Sequence, residues 1–126
     1  MSVIVSDTGF SPESFEGEWF DLASDVDPAG LDAQLEGVGA VRIAFPSFAD
    51  GRGFTLAARL RRMGYAGRLR AVGHVIADQY AMARRAGFDE VEIDEALAAR
   101  QPEADWIARA EWQSHDYRRR LGRSAA

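Results

Sequence analysis

The chain of 126 residues contains no cysteine and no lysine, and it has only two histidines. The absence of cysteine excludes disulfides, thiol redox chemistry and iron–sulfur ligation by residues of this chain. No apolar run approaches the ~20 residues that cross a membrane, and the first ten residues lack the charged-then-apolar pattern of a secretory signal. We therefore expect a single cytoplasmic domain over residues 1–126, with no membrane partner.

All fifteen basic residues are arginines, and their distribution along the chain is uneven. The first 39 residues carry nine acidic residues and no arginine, so the positive charge lies entirely in the remainder. The net charge of −5 argues against a nucleic-acid partner, because phosphate binding requires a basic surface. The acidic first third is expected either to fold against the rest of the chain or to offer an acidic face to a partner.

Apolar spacing, proline and glycine predict four strands that alternate with helices, after a polar N-terminal extension over residues 1–17. Within that extension, residues 3–5 have the composition of a short edge strand. The four predicted strands are 18–23, 40–45, 69–72 and 90–93. One helix is predicted to begin at Asp27-Pro28, and the others span 54–63, 75–86 and 103–120, with a basic C-terminal tail at 118–126.

This alternation predicts an α/β domain with a mainly parallel four-stranded sheet and right-handed crossovers. Two architectures fit the order of elements. One is a small doubly wound sheet. The other is half of a (βα)₈ barrel that a second copy completes, which would make the protein a homodimer.

Each predicted strand carries one charged residue between apolar neighbours, which is unusual for parallel strands covered by helices on both faces. These residues are Asp21, Arg42, Arg70 and Glu92. Because side chains alternate along a strand, each charge lies on the face opposite its apolar neighbours. If strands adjacent in sequence are adjacent in the sheet, Asp21 meets Arg42 and Arg70 meets Glu92. The shared face is then a half-solvated surface with two ion pairs, a polar barrel interior or a docking surface.

The segment Asp50-Gly51-Arg52-Gly53 connects a predicted strand to a predicted helix. Such a connection presents free backbone N–H groups at the positive end of the helix dipole. Two glycines allow close approach, and Arg52 adds a forked cation. The segment therefore predicts a site for an oxyanion or for a carboxylate of a partner, with Arg52 as the main cation and the amides of Gly51 and Gly53 as donors.

Ligands of parallel α/β proteins bind where the strands end, so further polar residues are expected at the rim of this site. We expect Arg70, His74, Asp78 and Gln79 to line it. His74 and Asp50 are the candidates for acid–base catalysis. The alternatives are a backbone hydrogen bond for His74, a helix cap for Asp50 and an interaction with the helix dipole for Asp78. No metal-ligand spacing and no nucleotide-binding fingerprint occur, so no metal site is predicted.

Three segments resemble a bacterial family known as domain of unknown function 934. They are Phe-Pro-Ser-Phe-Ala-Asp-Gly-Arg-Gly-Phe-Thr-Leu-Ala at 45–57, Gly-Arg-Leu-Arg-Ala-Val-Gly-His-Val-Ile-Ala-Asp-Gln at 67–79, and Arg-Ala-Gly-Phe-Asp at 85–89. Together with their surroundings they cover roughly residues 41–93. The sequence departs from the family pattern at His74, where aspartate is usual, and at Ala86, where cysteine is frequent.

The resemblance implies an association with assimilatory sulfite reduction and a partner such as sulfite reductase or a related sulfate-assimilation enzyme. Some members of the family are labelled oxidoreductases. Because this chain has no thiols and no dinucleotide motif, such an activity would require a bound cofactor of unassigned identity or a redox partner. Three functions are therefore kept: an accessory protein that binds an oxyanion or an acidic partner group, a half-barrel enzyme acting on a small anionic substrate, and a purely structural interaction module.

Overall fold

The protein forms one six-stranded sheet, seen in a computed structural model that describes residues 2–112. The strand order is β2-β1-β6-β5-β4-β3. The strands are β1 (Ser2–Ser6), β2 (Gly9–Ser11), β3 (Phe20–Ala23), β4 (Ala40–Phe45), β5 (Arg68–Gly73) and β6 (Glu90–Asp94). Strands β3 to β6 run parallel, whereas β1 is antiparallel to both of its neighbours. The predicted α/β class and parallel four-stranded part are confirmed, but the sheet has six strands rather than four.

The two additional strands come from the segment predicted as a polar extension. Strand β1 lies between β2 and β6 and is therefore not at the edge of the sheet. Val3 pairs with Ile93 and Val5 pairs with Val91, so both valines extend the apolar face of the sheet. The apolar run in β1 is short, and its pairing partner β6 lies at the other end of the domain in sequence. The local pattern therefore could not predict that β1 occupies an internal position in the sheet.

Within residues 2–112, five helices connect or follow the strands. They are α1 (Leu31–Gln34), α2 (Arg52–Arg62), α3 (Tyr80–Ala86), α4 (Glu95–Arg100) and α5 (Glu103–Ile107), and a 3₁₀ turn (Ala77–Gln79) precedes α3. Helix α1 begins later than predicted, because Asp27 accepts a hydrogen bond from the backbone of Ala29 and closes a turn ahead of the helix. None of the helices within residues 2–112 is long and apolar enough to span a membrane.

The prediction of a long last helix is wrong over the part that the structure describes. Helix α5 ends at Ile107, and turns follow as far as Trp112. Trp106 is fully buried, but Arg109, three positions further along, is exposed and Ala110, four positions further along, is only half-buried, so the buried stripe weakens after Trp106. The remainder of the predicted helix and the basic tail at 118–126 lie outside the described residues.

The core lies on one face of the sheet. Val41, Ile43 and Phe45 of β4 belong to the same buried cluster as Leu60 of α2 and Tyr80 of α3. Because β3 to β6 lie in chain order without a reversal, right-handed crossovers bring the connecting helices to one side. A doubly wound sheet requires such a reversal, so this winding corresponds to the half-barrel alternative.

The opposite face of the sheet carries the predicted charges. Arg42 and Asp21 lie 2.8 Å apart, and Arg70 and Glu92 also lie 2.8 Å apart, which confirms both predicted pairs. The parallel register places Asp21 directly beside Arg42. It places Glu90 beside Arg70, so Glu92 is a diagonal neighbour that the long arginine side chain reaches two residues further along β6.

The segment of residues 12–19, which we call the strap, crosses this charged face. The guanidinium of Arg70 lies 4.3 Å from the centre of the Trp19 ring, and the Arg68 guanidinium lies 5.0 Å from the centre of the Phe15 ring. The Arg70 side chain is completely buried. The acidic first third therefore folds against the rest of the chain, and it covers Arg70 with the protein's own residues.

Candidate functional site

The Asp50–Gly53 loop is organised by the carboxylate of Asp50. This carboxylate accepts hydrogen bonds from the backbone N–H of Arg52 at 3.0 Å and from its guanidinium at 2.9 and 2.7 Å. The buried hydroxyl of Ser24 donates a further hydrogen bond at 3.1 Å. The hydrogen bonds from Arg52 hold the pKa of Asp50 far below its ordinary range. Asp50 is therefore a fixed anion at the start of α2, and such a weakly basic carboxylate is a poor general base.

The two glycines of the loop have different roles. Gly51 precedes the helix, and a Cβ atom built on it would meet nothing within 4 Å. Gly53 already lies in the first turn of α2, and a Cβ atom there would clash with the Phe45 ring. Gly53 thus allows α2 to pack against β4, and this internal contact, rather than the approach of a ligand, accounts for the glycine.

Arg52 is exposed, but its charge is already balanced. The side chain is 60% exposed, and two of its guanidinium nitrogens are held by Asp50. The hydrogen bonds to Asp50, together with the nearby charge of Asp25, raise the pKa of Arg52. The predicted main cation is therefore the exposed member of an ion pair with the nearly buried Asp50, and a second carboxylate, that of Asp25, influences it.

A groove lies beside the loop, between one face of α2 and the segment that follows β3. It has a volume of about 390 Å³, and we call it the α2 groove. Its lining residues are Ser24, Asp25, Val26, Pro28, Arg52, Thr55, Leu56 and Arg59. The four residues from α2 are spaced three, four and seven positions apart, so they share one face of the helix. Arg59 is exposed, and it makes no ion pair with any residue between 2 and 112.

His74 follows β5 and lies near the loop that follows β4. Its Nδ1 lies 3.2 Å from the carbonyl oxygen of Phe45, and its backbone N–H donates to the same oxygen at 3.0 Å. Its ring contacts Phe48 edge-on, with the ring centres 5.1 Å apart. His74 thus makes the backbone hydrogen bond that was the alternative to a catalytic role. His74 and Phe48 also line a separate cavity of about 170 Å³ at the ends of β5 and β6.

Gln79 and Asp78 lie in the 3₁₀ turn, and each has a structural partner. The amide of Gln79 donates to the carbonyl of Phe48 at 3.1 Å, while its side-chain oxygen accepts from the backbone of Ile76 at 3.1 Å. Gln79 thus ties the loops after β4 and β5 together. Asp78 and Arg109 form an exposed ion pair at 2.6 Å.

Arg70 does not join this set of residues. It lies in the middle of β5 on the strap-covered face, and its guanidinium binds the carboxylates of Glu13, Glu90 and Glu92. Burial alone would lower the pKa of Arg70, but these carboxylates outweigh that effect and raise it. Its position within a predicted strand already separates it from the rim, because only residues at the carboxyl end of a strand reach that edge.

Sequence reasoning missed Arg59 as a residue of the site. The predicted helix begins at residue 54, which places Arg52 in the loop before it. The structure begins α2 at Arg52, and the seven-residue spacing from Arg52 to Arg59 then puts both arginines on one helix face. The opposite wall, Val26 and Pro28, comes from the segment after β3 and is brought near by tertiary structure alone. Among residues 2–112, no group of three or more histidine, aspartate or glutamate side chains is arranged to hold a metal ion.

The fold and groove describe an α/β protein with a largely parallel sheet and an arginine-lined groove along helix α2. The chain belongs to the family described as "Bacterial protein of unknown function (DUF934)", and the match spans residues 20–124. That range contains the Asp50–Gly53 loop and the α2 groove, and it begins after the β1–β2 hairpin and the strap. A comparison with curated proteins found no match, and a comparison with solved structures found none either.

Proposed function

We propose that the protein is an accessory component of assimilatory sulfite reduction that binds an anionic group in the α2 groove. The observation that carries the binding proposal is the position of Arg52 and Arg59 on one face of α2, on either side of Leu56. The positive end of the α2 dipole adds to the attraction of an anion at this place. The metabolic context is supported by the resemblance of three segments to the family.

In this proposal the protein acts through a partner, sulfite reductase or a related enzyme, and it supplies binding rather than catalysis. The anionic group is an oxyanion of the pathway or an acidic group of the partner. Asp50 holds the Arg52 guanidinium in one orientation through two hydrogen bonds, so little side-chain freedom is lost there when the groove is filled.

Two observations favour this function over a half-barrel enzyme. The strap covers Arg70 on the face that a second half-barrel would have to use. The two catalytic candidates also have other tasks, because Asp50 holds Arg52 and His74 binds the Phe45 carbonyl.

Growth of a strain that lacks the gene tests the proposal. The strain is complemented with the wild-type gene, with an Arg52→Ala/Arg59→Ala double variant, or with Arg62→Ala as a matched control. Arg62 is an exposed arginine of the same helix that does not line the groove. We expect the wild type and the control to restore growth on sulfate as the only sulfur source, and the double variant to fail.

Growth on cysteine as the sulfur source distinguishes a defect in sulfate assimilation from a general growth defect. All strains should grow equally on cysteine. The proposal is rejected if the strain without the gene grows normally on sulfate. It is also rejected if the double variant accumulates to the wild-type level and restores growth fully.

A further inference from the structure

The two ends of the α2 groove differ in charge. At one end, Arg52 is bound by Asp50 and is close enough to Asp25 to be influenced by its charge. At the other end, seven residues along α2, Arg59 has no carboxylate partner among residues 2–112. Seven residues of an α-helix span about 10.5 Å, which is close to one screening length at physiological salt. The positive charge that remains available in the groove is therefore that of Arg59.

The floor between the two arginines is apolar. Leu56 is buried and lies between Thr55 and the walls formed by Val26 and Pro28. The groove volume of about 390 Å³ falls in the roughly 300–1,000 Å³ range of pockets that take small organic ligands. A bare sulfate or sulfite ion would contact one end of such a groove and leave its floor exposed to water.

We infer that the α2 groove binds an amphipathic anion, with the anionic head on Arg59 and an apolar body over Leu56, Val26 and Pro28. This inference rests on the proposed anion-binding function and specifies its ligand class: a carboxylate, sulfonate or phosphate attached to an apolar group. It also reverses the expected roles of the two arginines. Arg52, held by Asp50, forms a wall of the groove, and Arg59 provides the charge that the ligand meets.

Fluorescence titration with 8-anilinonaphthalene-1-sulfonate tests the inference, because this probe joins a sulfonate to an apolar body. The neutral analogue N-phenyl-1-naphthylamine lacks the sulfonate and serves as the matched ligand. The proteins are the wild type, Arg59→Ala, Arg52→Ala, and Arg62→Ala as the control on the same helix. Circular dichroism and a cooperative thermal melt establish that each variant is folded, since loosely packed states also bind this probe.

For Arg59→Ala we expect the Kd of the sulfonate to rise about tenfold, the size of effect expected for losing one hydrogen-bonded charge contact. For Arg62→Ala we expect a change of about twofold or less, as for an exposed charge that does not line the groove. For Arg52→Ala we expect a smaller loss than for Arg59→Ala, because this variant alters a wall of the groove and leaves the Asp50 carboxylate without its guanidinium partner. The Kd of the neutral analogue should be the same in all four proteins.

A second variant, Thr55→Asp, places a negative charge in the middle of the groove. Thr55 is exposed in the first turns of α2, where an acidic residue is compatible with the helix dipole, so the fold should be retained. It should weaken binding of the sulfonate but not of the neutral analogue.

Three results would overturn the inference: no saturable binding of the sulfonate to the wild type, an equal or larger loss in Arg52→Ala than in Arg59→Ala, or equal affinity for the charged and neutral probes. The outcome of the growth experiment is independent of the outcome of this titration. If the double variant fails to restore growth while the sulfonate does not depend on Arg59, the proposed function stands and this ligand class is wrong.

Discussion

The carboxylate of Glu13 accepts two hydrogen bonds, at 2.7 and 2.8 Å, from the guanidinium of Arg70, which lies 57 residues further along the chain. This paired geometry is the strong form of an arginine–carboxylate contact. The hydrogen bonds from Arg70 lower the pKa of Glu13 to about 2. Arg70 is completely buried and also binds Glu90 and Glu92. The strap is therefore fixed to the sheet mainly by charge, with the Trp19 ring packed against the same guanidinium.

Replacing Glu13 with glutamine should destabilise the protein in a pH-dependent way. The pKa of Glu13 falls from 4.5 to about 2 on folding, so its contribution to the free energy of unfolding is present above pH 4.5 and lost as the pH falls toward 2. The Glu13 side chain is 38% exposed, and screening reduces the contribution to about 1–2 kcal/mol.

Urea denaturation of wild type and Glu13→Gln at several pH values measures this difference. The two curves should lie apart at pH 7 and converge between pH 4.5 and 2. Glu16, an exposed acidic residue of the same segment, supplies the control variant Glu16→Gln, which should match the wild type. A Glu13 effect that is independent of pH would show that the ionic contact is not its source.

Replacing Arg70 with methionine should lower the free energy of unfolding much more than Glu13→Gln does. It leaves the carboxylates of Glu90 and Glu92 on the covered face without their shared cation, and breaking a buried pair in this way costs about 3–5 kcal/mol. Urea denaturation at pH 7, with Arg62→Met as the exposed control, measures this loss of stability. A loss below about 1 kcal/mol would contradict the arrangement, since that is the range of a surface pair.

The two glycines of the Asp50–Gly53 loop should respond differently to alanine. Gly53→Ala places a methyl group against the Phe45 ring and should lower the free energy of unfolding by about 1–3 kcal/mol through overpacking. Gly51→Ala meets open space, and Gly51 has a φ of −88°, which alanine adopts readily, so we expect no loss of stability. Thermal and urea denaturation of the two variants test this. Equal losses would mean that Gly51, too, is required by the packing of the loop.

Tyr80 should couple α3 to the N-terminal hairpin. Its hydroxyl donates to the carboxylate of Asp7 at 2.5 Å. Burial, followed by the hydrogen bond to Asp7, raises the pKa of Tyr80, so the hydroxyl stays protonated and remains a donor. Tyr80→Phe should cost about 1.5 kcal/mol, the lower end for a hydrogen bond to a charged group. A double-mutant cycle with Asp7→Asn should give a coupling free energy well above zero. Additive losses would rule out the contact.

The parallel part of the fold was predictable because its signals are local. Each strand from β3 to β6 is followed by a turn or helix signal, and the charge between apolar neighbours predicted both which face carries the charges and the pairs Asp21–Arg42 and Arg70–Glu92. The N-terminal segment was not predictable in this way. Strand β1 depends on β6 for its pairing, and the strap depends on Arg70, so neither is visible in the pattern of neighbouring residues.

The loop of the candidate site was found from sequence, but the division of roles within it was not. Two glycines around an arginine predict an anion site by local chemistry alone. The structure shows that Gly53 meets Phe45 and that Arg52 is held by Asp50, and both facts require knowing which side chains the fold brings together. His74 illustrates the same limit, because its partner is a backbone carbonyl that no residue pattern indicates.

The pairing of β1 with β6 also has a consequence for how the chain is made. Val5 pairs with Val91, so β1 cannot complete its contacts until β6, which is synthesised after it, has been added. At about 5–20 residues per second, the chain between these two residues takes roughly 4–17 s to synthesise. During that interval β3, β4 and β5 can associate with their connecting helices, while the hairpin has no sheet to join. We therefore expect β1 and β2 to be the last strands of the sheet to reach their final position, although they precede the others in the chain.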